Sequence, residues 1–171
     1  MRNKNKNRVF RFNRRIRGQT DYLLRLKLLR SKLTRIVVRK FNNSVIVQFV
    51  DYSVDGDKVL TSARSIDLKR LGFTLNRGNI TSAYLTGYLA GKRAILAGLK
   101  SDCIVDLGLQ NVFYGGKLFA AVKGVKDAGV NIKVKNVVFP SEERIKGKHL
   151  VSKDVDKIIE KTKKNIEGLK K

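Results

Sequence analysis

The chain is short of the residues that build most catalytic and metal centres. Its one Cys, Cys103, excludes an intramolecular disulfide and any Cys-based zinc cluster. A single free thiol fits a reducing compartment. Its one His, His149, lies among Lys146, Lys148 and Leu150, and no GxSxG is present, so a Ser-His-Asp triad has no frame. With one Pro, Pro140, and 14 Gly, a linker-rich chain of many domains is not expected. No run approaches about 18 apolar residues, so no membrane-spanning segment is expected. The opening MRNKNKNRVFRFNRRIRG lacks the apolar stretch of a signal peptide. Acid is scarce too, with 14 Asp and Glu against 38 Lys and Arg.

That imbalance leaves a formal net charge of +24 on 171 residues. A small soluble domain usually carries a net charge of roughly 2–8. Self-repulsion of this size disfavours a compact state unless a polyanion neutralises it. Yet 42% of the residues are apolar, too many for a disordered basic tail. The chain is therefore expected to fold beside nucleic acid or an anionic membrane surface. The excess is uneven, with +14 in residues 1–40 and +10 in the remainder. This is a basic arm on a moderately basic body.

Residues 1–19 alternate Arg or Lys with Asn and contain no acid. They bury too little to offset their ordering entropy, so an extended arm is expected. Thr20 is placed to cap a helix with Asp21 in its first turn, running to about Arg30. Tyr22, Leu26, Leu29 and Leu33 form its apolar stripe. Three strands follow, at Arg35–Lys40, Ser44–Tyr52 and Lys58–Arg64, joined by the turns Phe41-Asn42-Asn43 and Val54-Asp55-Gly56-Asp57. The middle strand is apolar on both faces and is expected to be covered on both.

The period then changes. Ser65–Leu71 reads as a short helix closed by Gly72. Ile80–Ala97 reads as a long one capped by Asn79 and ended by Gly98. Its Ala83, Gly87, Ala90, Gly91 and Ala94 permit close packing. Asp102–Leu107 suggests an interior strand, Lys117–Ala128 a helix, Ile132 with Val134 an edge strand, Glu142–Lys146 a short helix, and Ser152–Leu169 a last amphipathic helix. The expected fold is α/β. An antiparallel three-strand meander plus a further strand makes a mixed sheet, with helices packed on it. The expected divisions are a basic arm (1–19), an RNA-binding body (20–150) and a C-terminal helix (151–171).

Few chemistries find support. Neither Gly91-Lys92 nor Gly116-Lys117 completes a P-loop. Asp102 and Asp106 share a strand face but stand about 13 Å apart, too far for a two-metal nuclease. Asp51, Asp55 and Asp57 are explained by turn chemistry. Cys103 reads as a buried hydrophobe. The C-terminal helix mixes acids with its lysines, which fits packing on protein better than a membrane surface. No enzyme activity, cofactor or metal is expected.

The positive signals concern phosphate. Arg8, Arg11, Arg14, Arg15 and Arg17 interleave with Phe10 and Phe12, pairing guanidinium forks with stacking faces for unpaired bases. Tyr114-Gly115-Gly116-Lys117 precedes a helix, where backbone N–H groups and a lysine suit an anion. No helix-turn-helix or zinc module is evident, which favours folded RNA over DNA.

Five ordered stretches then match one family. They are Thr20-Asp21-Tyr22 with Leu26-Lys27-Leu28-Leu29 and Arg35–Arg39; Gly78-Asn79 with Ala83–Gly87 and Leu89–Lys92; Asp106-Leu107-Gly108-Leu109; Phe119–Gly124 with Asp127-Ala128-Gly129; and Pro140–Ile145 with Gly147 and His149. Together they resemble ribosomal protein eighteen of the large subunit in its archaeal and eukaryotic form, from about Arg8 to His149. The resemblance implies a mixed α/β fold and a cytoplasmic, ribosomal location. It implies binding of 5S rRNA, contact with large-subunit rRNA in the central protuberance, and ribosomal protein five of the large subunit as a neighbour. It also implies RNA contacts from Arg8, Arg11, Arg14, Arg15, Arg17, Tyr22, Arg25 and Lys27. The resemblance extends these contacts to the hairpin face bearing Arg35, Arg39 and Lys40, and Phe12, Arg30, Tyr114 and Lys117 complete the candidate set. The chain departs from the family at Ile132–Asn136, where Pro-His-Ser is usual, and at Gln110-Asn111, where a basic residue is common.

Overall fold

The computed structural model describes residues 11–99, 101–150 and 155–169. Its order is α1 (Asn13–Ile16), α2 (Tyr22–Arg30), β1 (Thr34–Lys40), β2 (Val45–Asp51), β3 (Lys58–Arg64), a 3-10 turn (Asp67–Leu71), α3 (Ile80–Leu96), β4 (Cys103–Asp106), α4 (Lys117–Asp127), a second 3-10 turn (Asn136–Val138), α5 (Glu142–Ile145) and α6 (Val155–Glu167). The sheet order is β3-β2-β1-β4, antiparallel except for the parallel pair β1–β4. This is the mixed sheet expected from the change of period.

Side chains alternate across a strand, so one face of the sheet takes Ile36, Val38, Val45, Val47, Phe49 and Ala63, all fully buried. The register pairs Ile36 with Phe49 and Val38 with Val47. Helices α3 and α4 cover this face. Asn79 caps α3, its Oδ1 accepting from the Ser82 N–H at 2.7 Å. Residues 81–91 of α3 are buried without interruption. At its crossing with α4, a Cβ on Gly87 would land on the Ala121 carbonyl, and one on Gly124 on the Tyr84 carbonyl. The backbones touch there because neither position carries a side chain.

Helix α6 lies against α3. Its Val155, Ile159, Thr162 and Ile166 are buried, Tyr88 Oη donates to Glu167 at 2.7 Å, and Asn165 Nδ2 donates to the Leu71 carbonyl at 2.9 Å. Among the described residues, no helix is long and apolar enough to cross a membrane.

Several expectations change in detail. The cap of α2 is Asp21, whose Oδ1 accepts from the Leu23 and Leu24 N–H groups, while Thr20 accepts from Arg14 Nε at 3.0 Å. The buried residue of α2 is Leu28, not the stripe through Leu26 and Leu33. β2 is sealed on its core face but only half covered at Ile46 and Gln48 on the other. β4 forms the outer strand of the four rather than an interior one. The strand expected at Ile132 and Val134 reduces to one parallel bridge, Cys103 to Ile132.

Candidate nucleic-acid interface

Two grooves meet at the end of β1. Alternation sends Arg39 to the face of the sheet under α2 and Lys40 to the opposite face, so each lines a different groove. Beyond Val37 the β4 partner ends, and β1 would expose an unpaired edge. Gln110 closes it. Its Oε1 accepts from the Lys40 N–H at 2.8 Å, and its Nε2 donates to the Val38 carbonyl at 3.1 Å. A lysine or arginine there could not accept, so the departure from the family at Gln110 has a structural use.

The first groove, of about 310 Å³, runs between α2 and the open sheet face. Its floor is a charge network. Arg25 forks onto Asp57 with two 3.0 Å hydrogen bonds. Arg35, 3% exposed, stands 2.7 Å from Asp57 and 3.5 Å from Asp106. Arg39 Nη2 meets Asp106 at 3.2 Å, and its Nη1 donates to the Asp106 carbonyl. Three of the candidate contacts, Arg25, Arg35 and Arg39, thus share two carboxylates, and the pairs hold α2 and β4 to the sheet. Sequence spacing carries no sign of these pairs, which join residues far apart in the chain.

Burial pushes the Asp57 carboxyl up, but hydrogen bonds and charge from Arg25 and Arg35 outweigh it and hold it below the usual range. A carboxylate lowered in the folded state contributes stability above its unfolded value and loses it as pH falls through the folded one. In urea unfolding, Asp57→Asn should lie below the parent at neutral pH. The gap should close as pH drops below about 4. A gap of equal size at neutral and acid pH would contradict the clamp.

The arm candidates are displayed differently. Arg8 lies outside the described residues. Residues Asn13–Ile16 form one helical turn, where an extended arm was expected. The Phe12 ring, 5.0 Å from that of Tyr22, and the Arg14–Thr20 bond fold this turn back on α2. Arg11, Arg15, Arg17, Lys27 and Arg30 are exposed and make no ion pair among the described residues.

The second groove, of about 670 Å³, lies between the end of β1, the loop before α4, and α5. Lys40, Lys117 and Arg144 line it with Phe41, Phe113 and Tyr114. The turn Tyr114-Gly115-Gly116 bends by Gly115 at φ +68°. Gly116 caps α4 with no side-chain bond, which leaves the first amides of the helix without a side-chain acceptor. Phe41, Phe113 and Arg144 were not among the sequence candidates. An aromatic pair directly before two glycines was the available signal for Phe113.

A third cleft, of about 590 Å³, interleaves Asp127, Glu142, Asp156 and Glu160 with lysines, and its balanced charge suits no polyanion. The strand aspartates are separately engaged: Asp51 accepts from Thr34 Oγ1 at 2.7 Å, Asp102 from Asn131 at 2.7 Å, and Asp106 from the arginines and the Gly108 N–H. Burial, with the charges of Asp51 and Asp102, pushes the Cys103 thiol up to about 11, so it stays protonated at neutral pH.

Comparison with known proteins follows the same direction. The family model described as "Ribosomal large subunit proteins 60S L5, and 50S L18" matches residues 6–102. A large ribosomal subunit protein uL18 of Korarchaeum cryptofilum is 43% identical over 142 residues, covering 83% of this chain and 72% of its own. The uL18 of Methanothermobacter thermautotrophicus is 41% identical over 140 residues, covering 82% and 72%. That of Methanoregula boonei is 42% identical over 141 residues, covering 82% and 80%.

Proposed function

Because the chain belongs to the uL18 family of large ribosomal subunit proteins, we propose that it binds 5S rRNA and helps fix that RNA to the large-subunit rRNA in the central protuberance. Its structural role in the ribosome follows from the family. The finer assignment is ours, as are a cytoplasmic location and ribosomal protein five of the large subunit as a neighbour.

The observation that carries the reading is the separation of paired from unpaired cations. Three arginines of the sheet face and α2 share two carboxylates, whereas Arg11, Arg15, Arg17, Lys27 and Arg30 on the arm and α2 make no ion pair among the described residues. Cations without a carboxylate partner add to a folded chain's self-repulsion and are useful against phosphate. We assign the arm (1–19) to the RNA backbone, with Arg8 and Arg14 among its contacts. The body (20–150) then fixes the arm's direction through the Asp57 clamp and the Phe12–Tyr22 contact. Helix α6 is assigned to the end of the body away from the RNA, because it borders the charge-balanced cleft.

Filter binding to 5S rRNA across a salt series tests this. If about ten phosphates are neutralised, log affinity should fall against log salt with a slope of roughly −7 to −9. A slope near zero would overturn the reading.

A further inference from the structure

Charge neutralisation leaves one feature of the second groove unexplained. Phe113 and Tyr114 are 66% and 76% exposed, side by side, between Lys40 and Lys117. An interface that needed only positive charge would gain nothing from two bare rings in water. Neither ring is loose. Lys40 Nζ, fixed by donating to the Asn111 carbonyl at 2.9 Å, sits 5.6 Å from the centre of Phe113. Tyr114 meets Phe119 edge-on at 6.1 Å. Each ring is held by a neighbour yet keeps most of its surface open.

We propose that this groove receives one unpaired nucleotide of RNA, with its base stacked on Phe113 or Tyr114 and its phosphate among Lys40, Lys117 and Arg144. A paired base inside a duplex has no free face to offer a ring, whereas an unstacked one does. The exposed amides of Asn42 and Asn111 add a donor and an acceptor each for the edge of the base. The inference rests on the RNA reading above and deepens it: the arm holds backbone, and this groove holds a base.

The test uses the full chain carrying Phe113→Ala and Tyr114→Ala, positions exposed enough that circular dichroism should not change. Binding is measured to single-stranded RNA hexanucleotides of each base, to a short RNA duplex, and to 5S rRNA. Base–aromatic stacking predicts about a 5- to 100-fold loss of hexanucleotide affinity with the salt slope unchanged. Duplex affinity should stay as it was, and Phe113→Tyr with Tyr114→Phe should restore the loss. Unchanged hexanucleotide binding, or an equal loss for the duplex, would overturn the proposal. The 5S arm separates the two readings. If the parent binds hexanucleotides through the rings but not 5S rRNA, only the 5S assignment fails. If it binds 5S rRNA and the ring variant binds every probe equally well, only the nucleotide groove fails.

Discussion

Gly87→Ala should destabilise the protein by about 3 kcal/mol, although alanine is ordinarily the better helix former by roughly 0.5–1 kcal/mol. The sign reverses because a Cβ at Gly87 would meet the Ala121 carbonyl, part of the backbone of α4. No rotamer relieves such a contact, so the helices must separate along the crossing. Gly124→Ala should behave alike, since its Cβ would meet the Tyr84 carbonyl from the other side. Gly168→Ala is the control: its nearest neighbour is an ordinary 3.5 Å away. It should stay within about 0.5 kcal/mol of the parent. Urea midpoints with slopes compared across the three variants decide the matter. Gly87→Ala unfolding at the parent's midpoint would show that the crossing is looser than described.

Asp106→Ala should cost about 3 kcal/mol, at the low end of the range for breaking a buried ion pair. The loss comes mainly from Arg35, whose side chain is 3% exposed and whose Nε has no hydrogen-bond partner even in the intact protein. Without Asp106 its charge would face only Asp57. Arg39 and the Gly108 N–H would lose an acceptor as well. Asp51→Ala removes a single half-buried bond from Thr34 and should cost only about 1 kcal/mol. Chemical denaturation of both variants at neutral pH makes the comparison. Equal effects would mean that Arg35 is hydrated where the structure buries it.

Much of the scaffold was readable from residue patterns because its signals are local. Strand β3 falls on Lys58–Arg64 as the alternation indicates, and α3 runs between its Asn79 cap and Gly98. The small residues of α3 announced a close crossing, and Gly87 makes it. Helix α2 was less legible. Leu23, Leu24, Leu26, Leu28 and Leu29 crowd nearly every position, so no period singles out Leu28. Thr20 and Asp21 can both cap, and only the backbone geometry chooses Asp21.

The interface divided in the same way. Free arginines on the arm follow from composition. The internal pairing of Arg25, Arg35 and Arg39 does not, because Asp57 and Asp106 reach them only through tertiary folding. Phe113 was overlooked for a related reason. Its ring stays 66% exposed beside a loop that Gln110 pins to β1, and amide bonding of that kind leaves no periodic trace.

The placement of Arg39 and Lys40 on opposite faces of one strand limits the shape of whatever both of them touch. Adjacent side chains pointing apart cannot meet the same side of a stiff rod. A straight double helix laid under α2 would leave Lys40 and the aromatic groove unvisited. A ligand that fills both grooves must turn sharply around the rim closed by Gln110, or else be two strands arriving from different directions. On this geometry the tip of β1 is a wedge between two grooves that open on opposite faces of the sheet.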